Sequence, residues 1–521
     1  MDDKIIVTNL TALKAKYKTA GVAKIKTACN QLIAADKKRG LATRIINIDD
    51  VQAMKKLGGA AVTNAKDPGQ NKRAIDAVYK KLKPDYILIL GSVDVIPHQD
   101  MKNPVPEDGD THAFGDIPYA CEKTYSRKPE DFVGPTRVVG RLPDLVGDSD
   151  PAYLIGLLKT AATFKTRPFA DYDGYFAISA ALWEGSTRMS LDNVFGFNDK
   201  LNLCPDRGPK WTAPSLSKKL HFINCHGGTA SPTFQGQKRK GQPGVKYPDA
   251  HDAALLKNLI VEGTVAAVEC CYGAEQYDAK LFADGKTSIS TAYLAGKAYG
   301  FFGSSTVAYG PADDNGAADL ICQYFLKYVM EGASTGRAAL QARQDFAQSS
   351  PNLDPMDIKT IAQFSLLGDP SVTPIKASAP HAVATPKSKA KTAKAKSATP
   401  DSSAIERGER RQQLFTKGTW LATNQNVCSS TPESGSSKAV EATMKEIADS
   451  ANIENPTMTS YAIKRKASSG ASFAKSMTAT AFHVAMPAEA AEMQKENALV
   501  CVVAKEVDGR IVSYRELHSK R

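Results

Sequence analysis

Two short apolar segments, each ending at a reactive side chain, constrain the fold of this chain more than any other feature. Residues 220–225 lead into His226 and two glycines, and residues 264–268 lead into Glu269, Cys270 and Cys271. Both segments have the composition of strands buried on both faces, as in a parallel sheet covered by helices. Ligands bind at the carboxyl ends of the strands in such sheets. We therefore expect an imidazole and a thiol at one sheet edge.

Apolar strands alternate with helical patterns through the first 375 residues, which predicts an α/β fold with a doubly wound, mostly parallel sheet. The predicted strands are 44–48, 86–90, 137–140, 175–179, 221–225, 264–269 and 300–304. The predicted helices are 71–82, 150–164, 317–331 and 336–348.

A chain of 521 residues exceeds what one core supports, so several domains are expected. We predict an N-terminal α/β subdomain over 1–168 and a second over 169–375. Residues 376–412 are rich in Ala, Lys, Ser, Thr and Pro, which predicts a disordered basic linker. Residues 413–521 are predicted as a small α+β appendage, with a helix at 437–451, another at 488–497 and a hairpin turn at Asp508-Gly509.

The net charge of +12 does not by itself indicate a nucleic-acid partner. Residues 376–413 hold nine Lys or Arg against three Asp or Glu, so much of the excess lies in the predicted linker. The nine cysteines are odd in number and show no paired spacing, which favours a reducing cytoplasm. We find no secretory signal, no apolar run near the ~20 residues that span a bilayer, and no metal motif. No metal, cofactor or membrane association is therefore expected.

An imidazole and a thiol at one sheet edge are the minimum equipment for thiol-based acyl transfer. His226 is the candidate general acid–base, and the Gly227 N–H with the nucleophile's own N–H is the candidate oxyanion hole. Successive strand residues face opposite sides, so only one of Cys270 and Cys271 can face His226. Alternation alone leaves open which of them does.

Further stretches carry a resemblance to a known family. They are PDYILILGSVDVIP at 84–97, GDIPYA at 115–120, VVGRLP at 138–143 and FSLLGDPS at 364–371. Together with His226-Gly227 and Glu269-Cys270-Cys271, this order resembles the caspase-fold cysteine peptidases and, within them, the gingipain family. The resemblance covers about residues 80–375. It implies a small residue before the nucleophile, which favours Cys271, although many relatives have Gly three positions after it, which Gly273 satisfies for Cys270.

The resemblance also implies a pocket for the residue before the cut bond. Gingipain relatives favour basic residues there, and a carboxylate would supply the matching charge. Asp131 lies near the place where the family has its acidic pocket residue, and Asp313 is a competitor from a loop that follows a catalytic strand. Trp183 and Ser304 are candidate pocket walls because each follows a strand.

The sequence therefore predicts an intracellular, cytoplasmic thiol endopeptidase that uses a His–Cys dyad and cleaves proteins, with a preference for basic residues. We expect a protein or peptide substrate, a regulated role in signalling, immunity or cell death, and a recruited substrate or regulator at residues 413–521. The alternative is a caspase-fold scaffold or binding protein without activity. If lysine is cleaved, residues 387–396 offer sites for self-processing.

Overall fold

A computed structural model describes residues 2–376, 404–433, 435–464, 481–488 and 499–520. The helices are α1 Leu10–Lys38, α2 Val51–Lys56, α3 Pro68–Leu82, α4 Ala152–Thr163, α5 Glu184–Phe195, α6 Ala279–Phe282, α7 Ile289–Ala295, α8 Ala317–Met330, α9 Thr335–Gln348, α10 Pro355–Gln363, α11 Ala404–Asn424 and α12 Lys438–Ser450. Short 3-10 turns lie at Pro106–Asp108, Ile117–Ala120, Pro129–Phe132, Phe169–Tyr172 and Ala181–Trp183.

The strands follow the same chain order. They are β1 Lys4–Thr8, β2 Thr43–Asn47, β3 Tyr86–Leu90, β4 Gln99–Lys102, β5 His112–Gly115, β6 Val138–Leu142, β7 Tyr175–Ala180, β8 Leu201–Cys204, β9 Leu220–Asn224, β10 His226–Gly227, β11 Thr233–Gln235, β12 Asp249–Asp252, β13 Val265–Val268, β14 Gly300–Ser304, β15 Tyr309–Gly310, β16 Asn352–Leu353, β17 Phe364–Leu367, β18 Asn426–Cys428, β19 Pro456–Lys464, β20 Ala481–Pro487, β21 Val500–Val507 and β22 Arg510–Ser519.

A ten-stranded sheet with the order β2-β1-β3-β6-β17-β14-β13-β9-β7-β8 forms the centre of the molecule. Every pairing in it is parallel except β14 with β17. One helix layer contains α1, α4 and α7 and the other contains α5, α8, α9 and α10; both layers contact β6 or β14. The predicted α/β class with a doubly wound, mostly parallel sheet is confirmed.

The central strands are buried along their whole length because helices cover both faces. Strands β1, β3, β9 and β13 are buried at every position, which matches their Val, Ile, Leu and Ala content. Residues 2–168 supply β2, β1, β3 and β6, and residues 169–375 supply the other six strands. The two sets meet where β6 pairs with β17 through Leu367 and Arg141. The predicted boundary between subdomains stays a prediction.

A second, seven-stranded sheet joins the residues after 404 to the rest of the molecule. Its order is β15-β22-β21-β20-β19-β18-β16, so the strands of residues 426–519 lie between β15 and β16 of the first 375 residues. Arg515 adds ion pairs to Asp354 and Asp357 on α10 and its N-cap. The segment predicted as an appendage is therefore bonded to the main unit at both edges of its sheet.

The predicted linker needs a correction at its end. Residues 404–412 belong to helix α11, whereas residues 377–403 lie outside the described residues. Arg407 pairs with Asp3 and Asp85, and Arg411 pairs with Asp85. These ion pairs, with Leu421 buried in the core, hold a basic segment that composition alone assigns to disorder. The predicted helix at 488–497 falls almost wholly outside the described residues.

The hairpin predicted at Asp508-Gly509 is confirmed. Asp508 has φ 49° and Gly509 has φ 80°, so both central residues are left-handed, as a type I′ turn requires. The turn joins β21 to β22 and sets their register from Val507↔Arg510 to Val500↔His518. This register fixes where Lys520, which follows β22, meets the main unit.

Two glycines of α11 test how the helix docks. A Cβ added to Gly418 would lie 2.1 Å from the Pro135 carbonyl oxygen, whereas one added to Gly408 would meet nothing within 4 Å. We expect Gly418→Ala to lower the free energy of unfolding by about 1–3 kcal/mol, because backbone must move. Gly408→Ala should raise it by roughly 0.5–1 kcal/mol through helix propensity. Urea unfolding of both variants measures the pair, and equal shifts would contradict this docking.

Candidate active site

His226 and the Cys270-Cys271 pair lie at the same edge of the main sheet. Strands β9 and β13 are hydrogen-bonded parallel neighbours, with Leu220 opposite Val265 and Ile223 opposite Val268. The segments that leave these strands then touch, since a Cβ on Gly227 would lie 2.0 Å from the Cys271 carbonyl oxygen. Only glycine fits there. The shared edge expected from the sequence is confirmed.

The two cysteines have different surroundings. Both cysteines are fully buried, and burial raises the pKa of the Cys270 thiol well above the usual range. The Sγ of Cys271 lies beside the loop after β14, 3.1 Å from the Ala308 nitrogen and 3.4 Å from the Ala308 oxygen. The backbone N–H of Cys271 donates to the carbonyl oxygen of Lys520 at 3.0 Å. Cys271 is therefore the cysteine whose backbone contacts Lys520.

Two backbone amides converge on that same carbonyl oxygen. Gly227 N–H donates to the Lys520 oxygen at 2.9 Å, and Cys271 N–H donates to it at 3.0 Å. Two N–H groups at such distances from one oxygen form the geometry that stabilises a developing oxyanion. The sequence analysis named Gly227 N–H as one candidate donor, and the oxygen that accepts both hydrogen bonds belongs to Lys520 of this chain.

The Lys520 side chain enters a closed pocket formed by Asn224, Glu269, Asp319, Trp183 and Gly310, which we call the lysine pocket. Its Nζ donates to Asn224 Oδ1 and to Glu269 Oε2 at 2.6 Å each, and it lies 3.3 Å from both Asp319 oxygens. The ring of Trp183 lies 4.8 Å away, in cation–π range.

Gly310 leaves the space that this side chain fills. A Cβ at Gly310 would lie 2.5 Å from Lys520 Cε and 2.8 Å from Lys520 Nζ. The side chains of Lys520, Glu269 and Asp319 are all 0% exposed. The pocket is therefore shaped around an unbranched side chain that ends in an ammonium group.

The charges of the pocket require a cation. Burial, followed by the charge of Asp319, raises the pKa of Glu269 well above its usual range, and Lys520 opposes that rise. Burial acts to lower the pKa of Lys520, but the charges of Asp319 and Glu269 outweigh it and the pKa is raised. Buried carboxyl groups are costly without a partner. One ammonium group meets this requirement.

His226 is held by a side chain that the sequence did not indicate. Its Nε2 lies 2.7 Å from Gln237 Oε1, so Nε2 is the nitrogen that donates a hydrogen to this amide oxygen. The ring packs against Trp183 at 4.4 Å and Tyr247 at 5.1 Å between ring centroids. The backbone carbonyl oxygen of Gln237 accepts a hydrogen bond from the backbone N–H of Leu182. Imidazole and lysine pocket thus share the Trp183 wall.

The backbone before Lys520 lies at the site as an extended strand. Strand β22 pairs antiparallel with β15, with Ser519 opposite Tyr309 and His518 opposite Gly310. Lys520 N–H continues this ladder to the Ala308 oxygen at 2.9 Å. This is the arrangement in which an extended peptide adds to a strand edge.

A buried charge cluster behind the site fixes the loops that carry Cys271 and Ala308. Asp110 accepts from Tyr272 Oη at 2.6 Å and from Val307 N–H at 2.8 Å, and it pairs with Lys359 at 2.8 Å. Lys359 also pairs with Asp108. Because Tyr272 follows Cys271 in the chain, this cluster holds the Cys271 backbone from behind.

The structure places the predicted pocket residues in different ways. Trp183 is in the lysine pocket. Ser304 is buried and donates to the Thr306 oxygen at 2.6 Å. Asp313 lies beside Gly185, and its charge acts on His518 of β22. Asp131 hydrogen-bonds Ser126 and pairs with Lys123, so the acids that hold this ammonium group are others.

Sequence reasoning missed most of the lysine pocket. Glu269 carried a signal, because an acidic residue ends an apolar strand, but it was treated as part of the cysteine motif. Asp319 on α8 and Asn224 at the end of β9 carry no signal that separates them from helix and strand caps. The described residues contain no group of three or more His, Cys, Asp or Glu that could hold a metal ion. Among those same residues, no helix has the length and apolarity to span a bilayer.

Comparisons with known proteins find only distant similarity. No family model matches the sequence, and no curated protein shows a significant match. Among solved structures, one described as a protease is similar at 12% identity and a TM-score of 0.46, covering 99% of this chain and 96% of that one. The Saccharomyces cerevisiae separase–securin complex is similar at 11% identity and a TM-score of 0.31, covering 56% of this chain and 15% of that one. These likenesses assign no chemistry to the present chain.

Two other histidines form a buried cluster away from Lys520. Tyr293 Oη lies 2.8 Å from His221 Nδ1 and 3.0 Å from His251 Nε2. Burial lowers the pKa of His221 to about 4 and that of His251 to about 3. Both rings are therefore neutral in the folded protein at neutral pH, and they pack in the core behind β9.

This cluster predicts a loss of stability in mild acid. Below the ordinary histidine pKa of 6.5 the unfolded chain takes up protons that the folded chain refuses down to about pH 4. The free energy of unfolding should therefore fall between pH 6.5 and 4, by about 2 kcal/mol for each histidine at pH 5. Urea unfolding at pH 7.5 and pH 5 measures the loss. His251→Phe should reduce it, and an unchanged loss in that variant would contradict this origin.

Proposed function

We propose that the protein is a cysteine endopeptidase that cleaves peptide bonds after lysine. One observation supports this above all others: the carbonyl oxygen of a lysine accepts hydrogen bonds from Gly227 and Cys271 while its ammonium group lies between Glu269 and Asp319. A lysine is thus held at its carbonyl and at its tip at once. This is how a peptidase holds the residue before the bond that it cuts.

In the proposed reaction, His226 takes the thiol proton of Cys271 and the sulfur attacks the lysine carbonyl carbon. The electron pair of the C=O bond moves to the oxygen, where the N–H groups of Gly227 and Cys271 stabilise the negative charge. Loss of one such donor typically lowers the rate about 100-fold or more. Gln237 keeps the hydrogen of His226 on Nε2, so Nδ1 is the nitrogen that exchanges protons.

The intermediate then collapses and the C–N bond breaks. The leaving amine takes the proton from His226, and the lysine carbonyl remains bonded to Cys271 as a thioester. Water attacks the thioester, His226 accepts the water's proton, and the thiol leaves as the new carboxyl group forms. Acid–base assistance of this kind contributes on the order of 10²–10⁴ in rate.

The lysine pocket supports a preference for lysine over other side chains. Its acids lie within hydrogen-bond reach of the Lys520 Nζ, and all three side chains are 0% exposed. An uncharged chain of the same length would leave two buried carboxyl groups without their cation, which is costly. The proposed enzyme therefore prefers lysine before the cut bond rather than basic residues in general.

The wider assignment rests on the sequence. The stretches at 84–97, 115–120, 138–143 and 364–371 resemble gingipains, and we propose a gingipain-like peptidase of the caspase fold on that basis. The nine cysteines are free and buried, which suits a reducing compartment, and we place the enzyme in the cytoplasm. A regulated role with protein substrates is part of the same proposal.

The adjacent cysteines provide a matched test of the nucleophile. We expect Cys271→Ala to lower kcat/KM for a short fluorogenic lysine peptide by at least about 10³-fold, because the attacking sulfur is gone. Cys270→Ala should retain most of the activity, since the proposed attacking sulfur, that of Cys271, is still present. Both variants are made in the wild-type chain and in a Lys520→Ala chain, whose pocket is empty. If Cys271→Ala hydrolyses the peptide as fast as its parent chain, Cys271 is not the nucleophile. If none of the chains hydrolyses it, the alternative of a scaffold protein without activity is favoured.

The pocket acids predict a second, independent result. We expect Glu269→Gln, made in the Lys520→Ala chain so that no internal lysine competes, to lower kcat/KM for lysine peptides about 100-fold or more, while peptides with norleucine, which lacks the ammonium group, change little. The lysine-to-norleucine ratio should therefore fall.

Asp314→Asn, on the exposed loop before α8, is the matched control and should leave that ratio unchanged. If the Glu269→Gln enzyme prefers lysine to norleucine as strongly as the unsubstituted enzyme does, Glu269 does not contribute to the recognition of lysine.

A further inference from the structure

We infer that strand β22 and Lys520 after it are the enzyme's own substrate segment: Lys520 occupies the site in cis, excludes other proteins, and presents its carbonyl group to Cys271 for cleavage of the bond that follows it. This rests on the proposed function, because it assigns to Lys520 the place of the residue before the cut bond. Three separate features of the site meet this one residue. They are the strand edge, the pair of amides and the lysine pocket.

The strand edge binds the segment as it would bind a peptide. Two residues of β22 pair with β15, and the N–H of Lys520 donates to the Ala308 oxygen. The Ala308 nitrogen also contacts the sulfur of Cys271 at 3.1 Å. The last rung of the ladder therefore places Lys520 directly beside the thiol.

The amide pair gives the strongest reason to call this occupancy substrate-like. A buried structural lysine needs partners for its ammonium group, but nothing in that role requires its carbonyl to bond Gly227 and Cys271 together. Here the ammonium and the carbonyl are both held, at opposite ends of one residue. A substrate of the proposed reaction must satisfy both requirements at once.

The hairpin explains why the occupant competes well. Strand β22 pairs with β21 from Val507↔Arg510 to Val500↔His518, so the hairpin presents Lys520 without free diffusion. A tethered segment that can reach its site has an effective concentration on the order of millimolar. A protein substrate in solution must displace it. Displacement requires that His518 and Ser519 leave β15 and that Lys520 leaves Ala308.

The cis reaction balances with groups already at the site. Cys271 sulfur bonds to the Lys520 carbonyl carbon, the Lys520–Arg521 C–N bond breaks, and the Arg521 amine leaves with the proton from His226. Water then releases Lys520 as a carboxylate and restores the thiol. The new terminus still carries its side chain in the lysine pocket, so cutting alone does not empty the site. Lifting Lys520 out of the pocket does.

The first experiment measures the intact mass of the purified chain. The wild type should end at Lys520, whereas Cys271→Ala and Lys520→Ala should both retain Arg521. Arg510→Ala, an exposed basic residue at the other end of the same strand, should be cut like the wild type. The fraction cut with time should not depend on protein concentration, since the reaction is in cis. A wild type that keeps Arg521 overturns the self-cleavage, and a rate that rises with concentration overturns its cis character.

The second experiment measures competition. Lys520→Ala should raise kcat/KM for a short fluorogenic lysine peptide at least about tenfold over the wild type, and Arg510→Ala should not. Lys520→Gln is made alongside, because it keeps a polar tip in the pocket and guards against a folding defect. A synthetic peptide with the sequence of residues 516–520 should inhibit Lys520→Ala, and its norleucine counterpart should inhibit far less.

The outcomes separate this inference from the proposed function. If the wild type and Lys520→Ala hydrolyse the lysine peptide equally, and both need Cys271, the in-cis exclusion is wrong but the proposed peptidase activity stands. If no chain hydrolyses the peptide, the proposed function fails and the inference fails with it. Failure of the 516–520 peptide to inhibit an active Lys520→Ala enzyme overturns the substrate role of the segment.

Discussion

The close approach of Gly227 to the Cys271 backbone is the contact on which the rest of the site depends. Because β9 and β13 are direct neighbours in the sheet, the segments that leave them meet without a spacer. A Cβ at Gly227 would lie 2.0 Å from the Cys271 oxygen, so any other residue would push the segments apart. Held together, their two N–H groups point at one oxygen. Without that approach the two N–H groups could not share the Lys520 carbonyl oxygen.

The buried charges of the site follow a second constraint. Glu269 and Asp319 lie together in the core, where their proximity is unfavourable unless a cation joins them. Such a site disfavours the binding of any occupant without an ammonium group, since that occupant leaves the carboxyl groups unsatisfied. Selectivity of this kind needs few residues. It does require a dry pocket, which Trp183, Gly310 and Asn224 complete.

The sequence predicted what is local and missed what is assembled from distant parts of the chain. Strand-end His226 and Cys271 could be placed at one edge because parallel strands share their carboxyl ends, and the Asp508-Gly509 turn could be named because its backbone chemistry is local. Asp319 comes from a helix and Lys520 from a strand far along the chain, so neither has a local pattern. Helix α11 was missed over 404–412 for the same reason, since its order comes from Asp3 and Asp85 rather than from its own composition.

The two-residue strand β15 has a consequence for solubility. A bare strand edge that accepts peptides also invites other chains to add to it and aggregate. With β22 in place, the amides and carbonyls at residues 308–310 already have partners from within the molecule. Pairing with the molecule's own hairpin therefore occupies the side of β15 that a foreign strand would otherwise join.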